Sequence, residues 1–153
     1  MGHPRTRTRN KQLDDIAEAL PQRTAALMRL FLTQSSVPVS RTEAGVLWAL
    51  AARPRRITEL AARERITQPG ITLLVNRLAE RGWVERHSHP EDRRVVMVEL
   101  TSEGRRVHER LRAEYRALLH EDMATLPDED IQTLARAIEI LDQLIEQITG
   151  QQP

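Results

Sequence analysis

The residues best suited to binding chemistry are the arginines in the middle of the chain. Lys11 is the only lysine, and a guanidinium can donate two parallel hydrogen bonds to a phosphate or to guanine. Residues 53–94 hold ten basic and six acidic side chains, whereas residues 95–153 hold six basic and twelve acidic ones. This distribution predicts a nucleic-acid-binding surface in the middle of the chain. Arginine codon bias in a GC-rich genome is the plainer explanation of the preference for arginine over lysine.

The other reactive side chains do not form a pattern that catalysis or metal binding requires. The chain has no cysteine, which excludes a thiolate nucleophile, a disulfide framework and a cysteine redox switch. His87 and His89 flank a polar loop beside Glu91, but no third ligand stands at a supporting spacing. The chain has no glycine-rich phosphate loop and no nucleophile elbow. We therefore expect no enzyme activity, no metal site and no cofactor.

The length and hydropathy of the chain predict one domain in the cytoplasm. The 153 residues are 40% hydrophobic, and no run approaches the roughly 18 apolar residues of a membrane span. The N-terminus lacks the apolar stretch of a secretory signal. Residues 1–12 carry four basic and no acidic side chains, which predicts a flexible basic arm before a single domain over residues 13–153. We expect no membrane partner.

The N-terminal part of this domain has the apolar spacing of helices. Apolar residues stand at helical spacing in two runs, first Leu13, Ile16 and Leu20, and then Leu27, Leu30 and Phe31. Pro21 predicts either a kink or the start of a second helix. Ser40 and Glu43 have the spacing of a capping box, in which each side chain accepts a hydrogen bond from the other residue's backbone N–H. This pair predicts the start of the next helix.

Two short helices in tandem and then a hairpin are predicted in the middle of the chain. Thr58 and Thr67 are the expected N-caps of the two helices, and Gly82 ends the second. Residues 83–86 and 95–100 read as strands around a charged loop. A helix-turn-helix followed directly by a hairpin predicts a winged helix. This arrangement suits duplex DNA, because a helix fits the major groove and an arginine-tipped hairpin reaches the minor groove.

The C-terminal part predicts two helices and a subunit interface. Thr101 is the expected cap of a helix over about residues 102–124. Asp128 begins a final helix whose apolar residues alternate at spacings of three and four, a heptad pattern. This apolar stripe consists of Ile131, Leu134, Ile138, Leu141, Ile145 and Ile148. We interpret it as the interface of a homodimer, with packing inside one chain as the alternative.

Three linked motifs resemble the MarR family of winged helix-turn-helix transcriptional regulators. They are Gly82-Trp83-Val84-Glu85-Arg86, then Pro90-x-Asp92-Arg93-Arg94, then Leu100-Thr101-x-x-Gly104. The resemblance covers about residues 13–148. It implies a mainly α fold with a small β-hairpin wing, a DNA-binding lobe over about residues 40–101, and dimerisation helices over about 13–35 and 102–148.

The resemblance also implies which residues of the second tandem helix, the recognition helix, contact DNA. Gln68 would pair with adenine near the helix N-terminus, because a carboxamide can donate and accept on that base. Thr72 would touch a thymine methyl or a phosphate, and Arg77 would hold a phosphate. Ile71, Leu74, Val75 and Leu78 would be core. The full predicted DNA-binding set is Thr67, Gln68, Gly70, Thr72, Leu73, Asn76 and Arg77.

In the wing, the resemblance implies a carboxylate and three arginines. Arg86 would hold a phosphate at the base of the wing. Asp92 would direct the guanidinium of Arg94, so that this arginine enters the minor groove preorganised. Arg93 is the other candidate for the minor groove.

Three residues depart from the family's usual pattern. Glu64 stands where leucine is frequent, and Arg65 where glycine often makes the turn, which puts the geometry of that turn in question. Leu73 replaces a more usual polar residue, which suggests an apolar base contact or a shifted specificity. Pro69 and Gly70 are poor helix formers, so the start of the recognition helix is expected to order fully on DNA.

The resemblance implies a repressor that a small aromatic or anionic effector releases from a pseudo-palindromic operator. The expected lining of the effector pocket is Met28, Phe31, Trp48 and Arg105. The expected dimer interface is Leu13, Ile16, Leu134, Ile138, Leu141, Ile145 and Ile148. The alternative function is a winged helix that binds another protein without specific DNA binding, but the arginines of the predicted recognition surface favour DNA.

Overall fold

The computed structural model describes the backbone of residues 4–150 and the side chains of residues 8–150. Within this range the chain forms two compact units, one up to Ala113 and one from Glu114 onward. The elements in chain order are α1 Pro4–Gln34, α2 Arg41–Ala52, β1 Arg55–Arg56, α3 Ile57–Glu64, α4 Gln68–Glu80, β2 Val84–Ser88, β3 Val96–Leu100, α5 Ser102–Met123 and α6 Asp128–Gly150. None of the described helices is long and apolar enough to cross a membrane.

Helix α1 differs from the sequence prediction at two places. The arm predicted over residues 1–12 is helical from Pro4 onward, while residues 1–3 lie outside the described range. Proline suits the first turn of a helix, and the arginines, lysine and glutamine that follow are good helix formers. Helix α1 also continues through Pro21, so no second helix starts at that point.

The predicted capping box at the start of α2 is confirmed. The Ser40 hydroxyl oxygen accepts a hydrogen bond from the Glu43 backbone N–H at 3.2 Å, and Glu43 Oε2 accepts one from the Ser40 N–H at 2.8 Å. Helix α2 then buries Val46, Leu47 and Leu50. The cap thus holds the end of a helix that supplies much of the core.

Helices α3 and α4 form the predicted helix-turn-helix with one wrong cap. The N-cap of α3 is Arg56, with no side-chain bond, because β1 leads directly into the helix and places Thr58 inside it. Arg65 ends α3 at φ +53°, the left-handed conformation that glycine adopts most readily. The turn therefore keeps this geometry with arginine in place of glycine. Thr67 caps α4 as predicted, accepting from the Gly70 N–H at 3.3 Å.

The wing belongs to a three-stranded antiparallel sheet with β3 in the centre and β1 and β2 on either side. Val84 pairs with Leu100 and Ser88 pairs with Val96, so the hairpin is longer than predicted on the β2 side. Sequence analysis missed β1, because two residues carry no period and their pairing with β3 is long-range.

The start of α5 is fastened to the base of the wing by the Leu100-Thr101-x-x-Gly104 motif. Thr101 Oγ1 accepts a hydrogen bond from the Gly104 N–H at 3.0 Å, as expected of a cap, and donates one to the Gly82 carbonyl at 2.6 Å. A Cβ atom on Gly104 would overlap the Trp83 carbonyl oxygen. Only glycine lets α5 approach the wing this closely.

Candidate nucleic-acid interface

Helix α4 separates a buried face from an exposed one. Ile71, Leu74, Val75 and Leu78 are buried, as predicted for core positions. Thr67, Gln68, Leu73 and Arg77 are exposed, while Gly70, Thr72 and Asn76 are half-buried. The structure therefore places all seven predicted recognition residues on the side of α4 away from the core or at its margin.

Four of these seven residues bond one another at the start of α4. The Thr72 hydroxyl donates to the backbone carbonyl oxygen of Gln68 at 2.8 Å. A Cβ atom on Gly70 would lie 3.2 Å from Thr67 Oγ1, the capping atom, which is a tight contact. Gly70 therefore keeps room for the Thr67 cap, and its role in the structure is local.

Arg86 links the wing to the recognition helix. Its Nη1 atom in β2 donates a hydrogen bond to Asn76 Oδ1 in α4 at 2.6 Å. Because arginine can only donate, the amide oxygen of Asn76 must face the wing and the amide nitrogen must point elsewhere. Sequence analysis assigned Arg86 to a phosphate and missed this bond, which joins two elements without any local sequence signal.

The wing tip is held by Asp92 through the backbone. Asp92 Oδ1 accepts a hydrogen bond from the Arg94 backbone N–H at 3.0 Å. An aspartate readily bonds the N–H two residues further on. No ion pair joins the described side chains of Asp92 and Arg94, and the predicted direction of the Arg94 guanidinium by Asp92 stays a prediction. Arg93 and Arg94 both remain exposed at the tip.

Arg81 fastens the end of α4 to two other elements, and sequence analysis did not single it out. Its Nη2 atom donates to the Pro38 carbonyl at 2.7 Å, and its Nη1 atom lies 3.8 Å from Glu43 Oε1. Its guanidinium carbon is 3.8 Å from the centroid of the Trp83 ring, a cation–π geometry. The arginine thus orients α4 relative to α2 and the start of the wing.

Glu64 is accommodated by a glycine on α2. A Cβ atom on Gly45 would lie 2.7 Å from Glu64 Oε2, so the carboxylate occupies the space that a side chain would take. Desolvation by burial raises the pKa of Glu64, and the positive charges of Arg63 and Arg41 oppose this shift. The pairing of glutamate with glycine explains how this departure from the usual leucine fits between α2 and α3.

Arg53 and Arg55 lie next to α3, before and at the start of β1. Arg55 Nε donates to the Ala49 carbonyl at 2.9 Å, and both Arg53 and Arg55 contact the Glu59 carboxylate. Desolvation by burial, together with the charges of Arg53 and Arg63, lowers the pKa of Arg55. These bonds show that Arg55 has a structural role in joining α2, β1 and α3.

The four residues predicted to line an effector pocket differ in exposure. Phe31 is buried. Met28 is half-buried, and Trp48 and Arg105 are exposed. The Trp48 ring meets His108 edge-on, with centroids 4.8 Å apart. Desolvation lowers the pKa of His108, and Glu109 opposes that shift. Sequence analysis missed His108 because its pairing with α2 is a tertiary contact.

Six of the seven residues predicted to form the dimer interface are exposed in this single chain, and the seventh is half-buried. Leu13 and Ile16 on α1 are exposed. On α6, Leu141 is half-buried, and none of the described residues of this helix is buried. The other four predicted α6 residues are exposed: Leu134, Ile138, Ile145 and Ile148.

The histidines of the wing have partners other than a metal ion. His87 Nδ1 lies 3.4 Å from Glu99 Oε1 across the hairpin, and His89 Nδ1 accepts from the Glu91 N–H at 3.3 Å. Across the residues that the structure describes, no three or more His, Cys, Asp or Glu side chains lie together as metal ligands.

A helix-turn-helix followed by a β-hairpin, with exposed arginines on the hairpin, defines a winged helix-turn-helix protein. The sequence profile described as MarR family matches residues 38–95. The HTH-type transcriptional regulator Mb0904 of Mycobacterium bovis is 31% identical over 141 residues, which cover 88% of this chain and 98% of the relative. The chain therefore belongs to the MarR family and is a helix-turn-helix transcriptional regulator.

Two solved structures resemble this chain along most of its length. FabT of Streptococcus pneumoniae, solved in complex with DNA, is 20% identical with a TM-score of 0.67, covering 91% of this chain and 99% of FabT. NadR, solved in complex with 4-hydroxyphenylacetate, is 25% identical with a TM-score of 0.62, covering 82% of this chain and 91% of NadR. These similarities agree with the mainly helical winged fold.

Proposed function

We propose that this regulator is a homodimeric repressor in the cytoplasm. It binds a pseudo-palindromic operator near the genes it controls, and a small aromatic or anionic effector releases it. The observation that carries the proposal is the division of α4 into a buried face and an exposed face that lies on the same lobe as the arginine-tipped wing. This arrangement suits a helix in the major groove and a hairpin beside it.

The N-terminal end of α4 reads base edges in this proposal. Gln68 is exposed in the first turn of the helix, and a free carboxamide can both donate to and accept from adenine. Arg77, two turns later and also exposed, suits a phosphate. The DNA in the FabT structure supports a DNA-binding role for this fold.

The wing supplies positive charge to the neighbouring minor groove. Arg93 and Arg94 are exposed, and the bond from the Arg94 N–H to Asp92 holds the turn that carries both arginines. A turn that is already ordered loses less conformational entropy when its arginines enter a narrow groove. Arg86 keeps its charge and its remaining N–H groups for a phosphate while it bonds Asn76.

A second copy of the chain covers the apolar stripe of α6. Ile138 and Ile145 are 58% and 59% exposed, and their heptad spacing is that of a helix seam. A two-fold dimer places two recognition helices about one helical turn of DNA apart, which predicts a pseudo-palindromic operator. Leu13 and Ile16 of α1 are proposed to join the same interface.

The effector is proposed to bind beside α1, α2 and the start of α5. Met28, Phe31 and Trp48 offer apolar and aromatic surface, and Arg105 offers a cation for an anionic group. The NadR structure with 4-hydroxyphenylacetate, an aromatic anion, supports this class of ligand. An effector that prefers a dimer with wrongly spaced recognition helices weakens operator binding, and DNA weakens effector binding by the same factor.

Selection of genomic fragments by the purified protein tests the proposal. We expect one or a few pseudo-palindromic sites, with affinity that falls steeply as salt rises because phosphate contacts release counterions. A transcription assay on the selected promoter then gives the sign of regulation. If no fragment binds better than random DNA with or without candidate aromatic acids, the operator proposal is wrong, and the winged helix serves protein contact.

A further inference from the structure

The exposed face of α4 is apolar at its centre. Leu73 is 58% exposed, whereas the next residues, Leu74 and Val75, are buried in the core. Leu73 is therefore not needed to fill the interior of this chain. It shares its face with Asn76 and Arg77, three and four residues further on.

Two of the polar atoms next to Leu73 already have partners inside the chain. The Thr72 hydroxyl donates to the backbone carbonyl of Gln68, and the side-chain amide oxygen of Asn76 accepts from Arg86. Neither atom is fully available to a base without losing a bond that the structure contains. The isobutyl group of Leu73 is the large apolar surface that the described centre of this helix exposes.

An isobutyl group can recognise only one feature of the major-groove edge. The C5-methyl of thymine is the apolar group on that edge, among hydrogen-bond donors and acceptors. We propose that Leu73 is a specificity-determining residue that contacts the C5-methyl of one thymine in each half-site. This inference rests on the proposed function, because it requires a specific operator.

Replacing thymine by deoxyuridine removes this methyl and leaves the base-pairing groups unchanged. Each thymine of the selected operator is replaced in turn, and binding is measured at fixed salt. We expect one half-site position at which the wild-type protein binds the uracil site about fourfold more weakly, the effect of about 0.8 kcal/mol for one buried methyl. Leu73→Ala should bind the two sites equally, and Leu73→Met should keep the difference.

A cytosine placed at the position of the sensitive thymine provides a matched control. Cytosine and 5-methylcytosine differ by the same methyl group, so the wild-type protein should prefer the methylated base by a similar factor. Leu73→Ala should show no preference. Because Leu73 is exposed, the Ala variant should keep the wild-type unfolding midpoint, which separates the loss of methyl recognition from a loss of fold.

The outcomes separate this inference from the proposed function. If the protein binds an operator specifically but no thymine is sensitive to uracil, or if the sensitivity persists in Leu73→Ala, the role of Leu73 is wrong and the operator proposal stands. If selection yields no specific operator, the proposed function itself fails. Uracil sensitivity that disappears only in Leu73→Ala supports the inference.

Discussion

The DNA-binding lobe and the C-terminal helix α6 of this regulator differ in how far their apolar side chains are buried. In the lobe, Leu47, Leu60, Ile71 and Leu78 are completely buried within one chain. In α6, which carries the apolar stripe, none of the described side chains is buried. The lobe therefore contains its own core, whereas the apolar face of α6 requires a partner surface to leave water.

The side-chain bonds of the two regions differ as well. In the lobe, Arg81 and Arg86 reach across elements to a carbonyl, a carboxylate, an aromatic ring and an amide. In α6, the recorded bond between side chains is the exposed pair Arg136 and Glu139, three residues apart. An exposed pair of this type contributes little to stability. Tertiary bonds thus join the elements of the lobe, whereas the Arg136–Glu139 bond lies within a single helix.

The largest expected effect is on assembly. The double substitution Ile138→Glu and Ile145→Glu places two charges on the proposed seam, and we expect it to abolish the dimer in sedimentation equilibrium. Far-ultraviolet circular dichroism should retain the helical signal of the lobe. The matched control is Gln143→Glu, which adds charge on the polar side of α6 and should leave the dimer intact. A dimer that survives the double substitution would place the interface elsewhere.

The next expected effect is on the free energy of unfolding, which distinguishes buried from exposed apolar side chains on α4. Leu78→Ala leaves a cavity in the closed core of the lobe and should lower the free energy of unfolding by about 2–5 kcal/mol. Leu73→Ala, on the opposite face of the same helix, should change it by less than about 0.5 kcal/mol. Urea denaturation of both variants measures the difference. Equal losses would mean that the two faces of α4 do not differ in packing.

A smaller effect on DNA binding distinguishes the two arginines of the wing tip. We expect Arg94→Ala to weaken operator binding by about tenfold or more at physiological salt, because it removes a charge from the minor groove. Arg93→Ala measured beside it shows which arginine enters the groove, and Arg112→Ala on α5 is the control for net charge. An unchanged operator affinity for both wing variants would disprove the role of the wing.

The most local expected effect is on sequence preference, because it concerns one position of each half-site. Gln68→Ala should cost about 1–3 kcal/mol of operator binding and relax the preference at one half-site position. Binding of operators substituted at each position measures this change. A uniform loss over all sequences would instead assign Gln68 to the DNA backbone.

Sequence analysis predicted the parts of the fold that depend on neighbouring residues. The caps formed by Ser40, Thr67 and Thr101 act within three residues, so their side chains find the same N–H groups wherever the helix packs. The period of α4 identified Ile71 and Leu78 as core, because a 3.6-residue repeat defines a face. The three linked motifs around the wing were sufficient to identify the family.

Only the tertiary structure decided how these elements are held together and which polar atoms remain available to DNA. The bond from Arg86 to Asn76 and the contacts of Arg81 join residues that meet only once the hairpin and helices have packed. The same packing pairs β1 with β3 and so displaces the predicted cap of α3 from Thr58 to Arg56. Local sequence specifies which hydrogen bonds a side chain can make, but the folded chain brings competing partners within reach, and the nearest one, as at Asp92, takes the bond.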